Sequence, residues 1–176
     1  IIQVDTAEAD DIIATLTTEF HAQEPIIILS GDKDFVQLHK MANVKQYDPV
    51  RKKFIVDGDP QKFLFEHIMR GDAGDGVPNV LSDDDTFVTE KRQKPMTQKR
   101  MDEAWNGGAG LMIVDEAINR NYQRNKQLID LSCIPADIKA AVLSKYKDEE
   151  GKDRSKLFNY FISYKLKNMM EVISEF

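Results

Sequence analysis

The spacing of apolar residues predicts a strand, a helix and a second strand at the start of the chain. Residues 1–4 (IIQV) and 26–29 (IIIL) are short apolar runs, and the second is typical of a strand covered on both faces. Between them, apolar residues recur at helical spacing over positions 9–20, and Asp5 with Glu8 three residues later predicts the helix N-cap. This order indicates a right-handed βαβ unit and a parallel sheet.

The pattern then predicts a short helix, a hairpin and a longer helix. Apolar positions within 35–38 favour the short helix, and the runs at 43–47 and 52–56 flank a turn at Asp48-Pro49. Asp59 followed by Pro60 is typical of a helix start, and Gly71 is well placed to end that helix.

From Gly71 onward the pattern becomes helical. We predict a flexible, polar loop at about 82–96, followed by helices at roughly 97–105, 110–120, 122–131, 135–145 and 156–173. The last of these carries an apolar face that predicts packing into the core. The predicted fold is α/β, a parallel sheet with a mixed edge flanked by helices (1–70), followed by an all-helical domain (71–176).

Composition indicates a globular protein in a reducing environment. The chain has 176 residues, of which 41% are hydrophobic and 31% charged. Its longest apolar run is too short to span a bilayer, so no membrane association is expected, and the single Cys133 excludes an internal disulfide. We expect a cytoplasmic setting. Because the chain opens on what reads as a strand, we expect it to be the carboxy-terminal part of a longer protein.

Charge is distributed unevenly along the chain. The net charge is −6, but residues 1–90 carry 8 Lys/Arg against 18 Asp/Glu, whereas residues 91–176 carry 16 against 12. The densest basic cluster comprises Lys91, Arg92, Lys94, Lys99 and Arg100. A solvated loop explains such a cluster as well as contact with the phosphates of a nucleic acid does, and both readings stay open.

The most informative feature is a set of carboxylates in short clusters at predicted element ends. The clusters are Glu8, Asp10 and Asp11; Asp32 and Asp34; and Asp72 and Asp75. The first two follow predicted parallel strands, whose carboxyl ends meet at one edge of a sheet. Anions brought together repel unless a cation neutralises them, and carboxylate oxygens suit Mg²⁺. The pattern indicates metal-assisted chemistry on phosphates, in which two ions assist an in-line displacement.

Simpler readings exist for each cluster. Acidic residues favour the first turn of a helix, and Asp with Gly is common in turns. An EF-hand does not fit, because the segment from Asp32 lacks the required oxygen ligand and glycine, and no Walker loop occurs. Two alternatives stay open: a Mg²⁺-dependent phosphatase with Asp32 as the nucleophile of a D-x-D loop, and a non-catalytic duplex-binding module whose carboxylates are helix caps.

The motifs EADD, SGDKDFVQL and GDAGD followed by Val77-Pro78 resemble the signature series of the flap-endonuclease/5′-nuclease superfamily. The resemblance covers essentially the whole chain. It implies a Mg²⁺-dependent 5′→3′ exonuclease and flap endonuclease, with Mn²⁺ as a substitute and two ions bound. Its implied substrates are duplex DNA, RNA–DNA hybrids and 5′ flaps, and its implied role is the removal of RNA primers during replication. Single-strand-binding protein or a sliding clamp are candidate partners.

The resemblance also implies roles for individual residues. Asp10, Asp32 and Asp34 match catalytic positions, and the implied metal ligands are Glu8, Asp10, Asp32, Asp34, Asp72 and Asp75. Asp11 matches a supporting position. The resemblance further implies a helix–two-turn–helix-like element for duplex binding. The family's earlier aspartates would precede residue 1, so we expect this chain alone to be nearly inactive.

Two details of the sequence bear on this resemblance. The family's glycine-rich continuation is replaced here by VPNVLSDDD, whose Asp83, Asp84 and Asp85 would repel DNA. The histidines His21, His39 and His67 show no spacing suited to zinc, and we assign them surface or packing roles.

Overall fold

The computed structural model describes residues 1–107, 115–149 and 156–175, and its first part contains a three-stranded mixed sheet in the order β1-β2-β3. Strands β1 (Ile26–Leu29) and β2 (Val44–Asp48) are parallel, with Ile26 opposite Val44. Strand β3 (Lys53–Ile55) pairs antiparallel with β2, so the predicted hairpin is confirmed. The predicted α/β class with a mixed edge is also confirmed.

The helices of the first part are α1 (Ala9–Phe20), a 3-10 helix (Asp34–Lys40) and α2 (Pro60–Arg70). The 3-10 helix lies in the crossover between β1 and β2, and its apolar residues are buried where it packs against α2, β2 and α1. This cluster contains Ala14, Ile28, Phe35, Leu38, Val44 and, from the second part of the chain, Ile134. Burial of this kind stabilises each large side chain by about 2 kcal/mol, which explains why a short 3-10 segment persists here.

The start of the chain differs from the prediction. Residues 1–4 form no strand, and Ile1 is 91% exposed. Thr6 has a positive φ of 65°, so the backbone turns there and the N-cap is Glu8 instead of Asp5. The physical reason is the reciprocal capping box that Glu8 forms with Asp11, three residues further on.

Strand β1 is covered on one face only, which corrects the prediction of a strand covered on both. Ile27 and Leu29 are 56% and 70% exposed, whereas Ile28 is buried. The residues of β1, together with residues of α1 and Tyr146, line an open, mostly apolar groove.

The second part of the chain is helical, as predicted. Its helices are α3 (Gln98–Asn106), α4 (Glu116–Ile129), α5 (Ala136–Glu149), α6 (Leu157–Ser163) and α7 (Lys167–Glu171), with short 3-10 segments at Leu131–Cys133 and Ile173–Glu175. Its main core cluster joins α2 to α3 through Phe65, Met69, Val80, Met101 and Ala104. No helix in the described ranges is both long and apolar enough to cross a membrane.

Helix α4 replaces the two helices predicted at 110–120 and 122–131, although residues 108–114 lie outside the described part of the chain. The helix continues through Asn121 because that side chain is buried and donates hydrogen bonds to the carbonyl oxygens of Val80 and Ser82 at 3.0 Å each. Its polar group therefore stabilises packing instead of ending the helix.

The prediction of one long, core-packed terminal helix is wrong. Helices α6 and α7 are separate, because Lys165 between them has a positive φ of 54°. Phe161 is buried, but Phe158, Ile162 and Met169 are 52%, 50% and 44% exposed.

Gln37 connects the two parts of the chain. Its side chain is 1% exposed and donates from Nε2 to the carbonyl oxygen of Ile129 at 3.1 Å. Its Oε1 accepts from the backbone N–H of Leu131 at 2.9 Å. These bonds satisfy backbone groups at the end of α4, which would otherwise be buried without partners.

We predict that Gln37→Leu lowers the free energy of unfolding by about 2–4 kcal/mol, because two backbone groups lose their partners. Urea denaturation at neutral pH measures the change. The control is Gln23→Leu, since Gln23 is exposed and its one side-chain bond spans 3.4 Å within its own helix end. Equal stability of the two variants would show that Gln37 does not join the two parts.

Candidate metal centre and nucleic-acid interface

The second and third carboxylate clusters line one open cavity of about 560 Å³. The cavity lies between the loop after β1 and the end of α2. Its lining residues are Gly31, Asp32, Lys33, Asp34, Phe63, His67, Arg70, Gly71, Asp72 and Asp75. Clusters separated by about forty residues in the chain are therefore adjacent in space.

The loop after β1 is fixed by its own hydrogen bonds and by β2. The backbone N–H of Asp32 donates to Ser30 Oγ, and the N–H of Asp34 donates to Asp32 Oδ1, both at 3.1 Å. Gln46 Nε2 donates to the carbonyl oxygens of Ser30 and Asp32. Gln46 is fully buried, and its amide therefore determines where this loop lies.

Sequence reasoning missed Gln46, although a signal was present. Val44, Gln46 and Asp48 alternate as buried positions along β2. A polar side chain at an inward-facing strand position requires hydrogen-bond partners, and in this chain they belong to the acidic loop.

The third cluster is held by a tight turn after α2. Gly71 has a φ of 66°, and a Cβ at this position would lie 2.4 Å from the carbonyl oxygen of Val77, so only glycine fits. Asp72 Oδ1 accepts from the backbone N–H groups of Gly74 and Asp75 at 2.8 and 3.3 Å. Burial raises the pKa of Asp72, but these two bonds, together with His67, lower it overall below 3.8.

The first cluster belongs to the same electrostatic environment. Asp10 lies in the first turn of α1, where burial raises its pKa to about 6, with further contributions from Asp32, Asp34, Glu8 and Asp11 in that order. Glu8 is exposed, and Asp11 Oδ2 accepts from its backbone N–H at 3.0 Å. Asp11 therefore caps the helix, whereas Asp10 faces the second cluster.

Asp34 lies where all these charges meet. Burial is the largest effect and raises the pKa of Asp34, whereas His67 lowers it. The carboxylates of Asp32, Asp72 and Asp75 raise it further, so the net effect is a raised pKa. Such a site favours binding of a proton or a cation over a bare carboxylate.

His67 lies between Asp34 and Asp72, a position that the expected surface or packing role did not anticipate. Its Nε2 is 3.2 Å from Asp72 Oδ2, and its Nδ1 is 3.4 Å from Asp34 Oδ1. Asp34, His67 and Asp72 form a group able to hold a metal ion. Sequence spacing could not find it, because the three residues belong to different elements that only tertiary folding brings together.

The predicted basic residues lie on one exposed stretch that continues into α3. Lys91 pairs with Asp85 at 3.2 Å, and Lys99 with Glu103 at 3.9 Å. Arg92, Lys94 and Arg100 are exposed and form no ion pair with any residue that the structure describes.

This stretch has no regular helix or strand between residues 82 and 96, but hydrogen bonds hold its two ends together. Asn79 donates from its backbone N–H to Gln93 Oε1 and from Nδ2 to the carbonyl oxygen of Lys94, both at 2.7 Å. Ser82 Oγ accepts from the N–H of Lys94 at 2.9 Å. Lys94 is therefore fixed close to the turn that follows Asp75.

The aspartates expected to repel DNA are partly neutralised within the chain. Asp84 pairs with Arg120 at 3.2 Å and with Arg124, and Asp85 pairs with Lys91. Arg124 also donates to the carbonyl oxygen of Pro78 at 2.9 Å. The segment that replaces the expected glycine-rich turn is therefore tied to α4 by charge.

A mixed sheet with acidic side chains at one edge, followed by a helical part with a basic stretch, is consistent with the fold of a 5′ nuclease. A family model described as "T4 RNase H, C terminal" matches residues 58–176, and one described as "5'-3' exonuclease, N-terminal resolvase-like domain" matches residues 1–66. The chain belongs to the T4 RNase H family of 5′–3′ exonucleases.

Individual relatives agree with this assignment. The chain is 33% identical over 184 residues to Ribonuclease H of Enterobacteria phage T4, a match that covers 100% of the chain and 60% of that protein. It is 39% identical over 83 residues to flap endonuclease Xni of Shewanella piezotolerans, covering 42% of the chain and 32% of that protein. It is 36% identical over 88 residues to DNA polymerase I of Rhizobium leguminosarum, covering 45% of the chain and 9% of that protein.

We predict that Asp10→Asn stabilises the metal-free chain at pH 7.5. Because the folded pKa of about 6 exceeds the ordinary 3.8, ionising Asp10 costs folding free energy as pH rises through this window. Above pH 6, we expect the free energy of unfolding of Asp10→Asn to exceed that of the wild-type chain by about 1–2 kcal/mol, a figure that allows for solvent screening. Below pH 3.8 we expect no difference between the two.

Thermal unfolding in EDTA across this pH range measures the effect. The control is Asp5→Asn, an exposed aspartate outside the clusters. A stabilisation that persists unchanged at pH 3 would contradict the electrostatic explanation.

Proposed function

We propose that this chain supplies metal-binding carboxylates and a duplex-binding surface of a Mg²⁺-dependent 5′→3′ exonuclease and flap endonuclease. The proposed substrates are RNA–DNA hybrid, duplex DNA and 5′-flap DNA, and the proposed role is removal of RNA primers in replication. The observation that carries this proposal is the convergence of Asp10, Asp34, Asp72 and Asp75. Because the chain spans 60% of the phage relative's length, the activity is assigned to the protein that contains it.

The donor atoms at this site fit a hard divalent cation. Most are carboxylate oxygens, which Mg²⁺ and Mn²⁺ prefer. Burial raises the pKa of Asp10 and Asp34, and the nearby carboxylates add to this shift, so both groups favour a bound cation. We propose two ions, one held by Glu8, Asp10 and Asp32 and the other by Asp34, Asp72 and Asp75. Bound ions of this kind activate water and stabilise the leaving oxygen of a phosphodiester.

The chain's own residues would hold the substrate in place for this chemistry. Arg92, Lys94 and Arg100 are exposed and unpaired within the described ranges, so their charge is available to duplex phosphates. The hydrogen bonds of Asn79 and Ser82 connect this surface to the turn that carries Asp75. A duplex bound there would extend toward the acidic cavity in a defined register.

Family membership favours the nuclease over the phosphatase alternative, but the non-catalytic module requires an experiment. Asp11, Asp32 and Asp72 do accept local backbone hydrogen bonds, as that alternative expects. Asp10 and Asp34 are the better discriminators. Among the described residues, no backbone N–H donates a hydrogen bond to either side chain, so helix capping does not explain their burial in an acidic environment.

In the protein that contains this chain, we predict that Asp34→Ala lowers cleavage of a 5′-flap substrate by about 100-fold or more at millimolar Mg²⁺, because it removes a ligand of the cation site. Duplex binding should change by less than about two-fold, since the phosphate-binding residues lie elsewhere. Single-turnover kinetics and fluorescence anisotropy measure the two quantities. The matched control is Asp5→Ala, an exposed aspartate outside the cavity and outside the segment expected to meet DNA. Normal turnover by Asp34→Ala would contradict the proposed function.

We also predict that replacing Arg92, Lys94 and Arg100 with Ala weakens duplex binding equally for different sequences. Each phosphate contact contributes about 0.9 to the slope of log K against log salt, so the slope should become shallower by roughly 2–3. Titrations between 50 and 200 mM KCl measure it. The control variant replaces Lys40, Lys45 and Lys53, which are exposed near the sheet. An equal effect in both variants would indicate general electrostatics rather than a defined surface.

A further inference from the structure

We propose that His67 is a direct ligand of a divalent cation: its Nδ1 would bind the ion together with Asp34, while Asp72 orients the imidazole from the other side. The inference deepens the proposed function and rests on it, because it concerns the same acidic cavity. It changes the role of Asp72 from the predicted ligand to a residue that positions one.

The position of Asp72 indicates which nitrogen of His67 carries the proton. Asp72 Oδ1 is engaged by the backbone N–H groups of Gly74 and Asp75, which leaves Oδ2 to face His67 Nε2 at 3.2 Å. A neutral imidazole that donates from Nε2 to this carboxylate leaves a lone pair on Nδ1. Histidine ligands of metals commonly donate their second nitrogen to a carboxylate in this way.

The Nδ1 atom of His67 faces Asp34 but makes no hydrogen bond with a described residue. It is buried, and the carboxylate oxygen Asp34 Oδ1 lies 3.4 Å away, within ion-pair distance of a protonated ring. A buried polar atom without a partner is uncommon and requires an explanation. When the ring is neutral and protonated at Nε2, Nδ1 and Asp34 Oδ1 are two facing electron-pair donors, and a cation between them replaces the positive charge of a protonated ring.

The separation of the two donor atoms also fits. A cation with bonds of about 2.1 Å to both atoms holds them roughly 3.0 Å apart in octahedral geometry and roughly 3.4 Å apart in tetrahedral geometry. Because Mg²⁺ and Mn²⁺ are octahedral, binding would draw the two atoms closer than the observed 3.4 Å by about 0.4 Å, a shift that a small side-chain rotation supplies. The ring is held in this orientation by Phe63, one turn earlier on α2, whose ring centroid lies 6.0 Å from that of His67.

A nitrogen ligand predicts a change in metal preference. Mg²⁺ favours sites made of oxygen, and Mn²⁺ shares this preference but, as the softer ion, accepts an imidazole ligand more readily. One of the proposed sites should therefore bind Mn²⁺ more tightly than Mg²⁺, and the other, made of Glu8, Asp10 and Asp32, should not share this preference.

Electron spin echo envelope modulation of the chain loaded with Mn²⁺ tests the inference, because this signal detects nitrogen bound to the ion. We expect a directly coordinated ¹⁴N in the wild-type chain, and its replacement by a ¹⁵N pattern when histidine is labelled with ¹⁵N. The chain has 3 histidines, and His21→Gln should keep the signal because His21 lies outside the cavity. His67→Gln should lose it, with about 10-fold weaker Mn²⁺ binding and Mg²⁺ binding within about three-fold of wild type.

Asp72→Asn separates the orienting role from ligation. We expect it to keep the nitrogen coupling and to weaken Mn²⁺ binding by about 10-fold, as changes in groups that orient a ligand commonly do. Mn²⁺ binding without nitrogen coupling would overturn the inference, and His67 would then be a cationic bridge between two carboxylates. That result would leave the proposed metal-dependent function intact. Absence of Mn²⁺ binding at millimolar concentration would overturn both.

Discussion

Repulsion among carboxylates in a confined space is the interaction on which the structure of this site depends. Asp10, Asp32, Asp34, Asp72 and Asp75 act on one another across three separate elements. Burial raises the pKa of Asp10 and of Asp34, and the neighbouring carboxylates raise both further. Nothing in the sheet requires these charges to be adjacent. The scaffold must therefore hold them against their own repulsion until a proton or a cation neutralises them.

Buried amide side chains provide much of that support. Gln46 fixes the loop that carries Asp32 and Asp34 by binding two of its carbonyl oxygens. Asn125, which is fully buried, donates from Nδ2 to the carbonyl oxygens of Ile68 and Pro78 at 2.9 Å each, so α4 holds the turn that carries Asp72 and Asp75. Each amide satisfies backbone groups that helix or sheet geometry leaves without partners, and this makes the acidic segments rigid. Helix α4 thus supports the acidic turn and, through Asn121 and Arg124, the segment that leads to the basic surface.

The elements that local signals define were predictable from the sequence. Asp59, Pro60 and Gly71 bound α2 as expected, and Asp48-Pro49 lies at the hairpin turn. The failures share a cause: the predictions for residues 1–4 and for the terminal helix required knowledge of what covers an apolar face, which depends on tertiary contacts. The same limit applies at the site, where spacing identified the acidic clusters but could not reveal that His67 separates two of them. Gln46 lay within reach of the alternation along β2, because an inward polar residue indicates a buried acceptor nearby.

The most direct test of this account is the anomalous diffraction of crystals soaked in millimolar Mn²⁺. The account predicts anomalous density inside the cavity, within coordination distance of Asp34 and beside Asp10, and its loss at Asp34 when that residue is replaced by Ala. Density confined to the exposed aspartates near α4, or none near Asp34 in the wild-type chain, would contradict the claim that these carboxylates converge in order to hold cations.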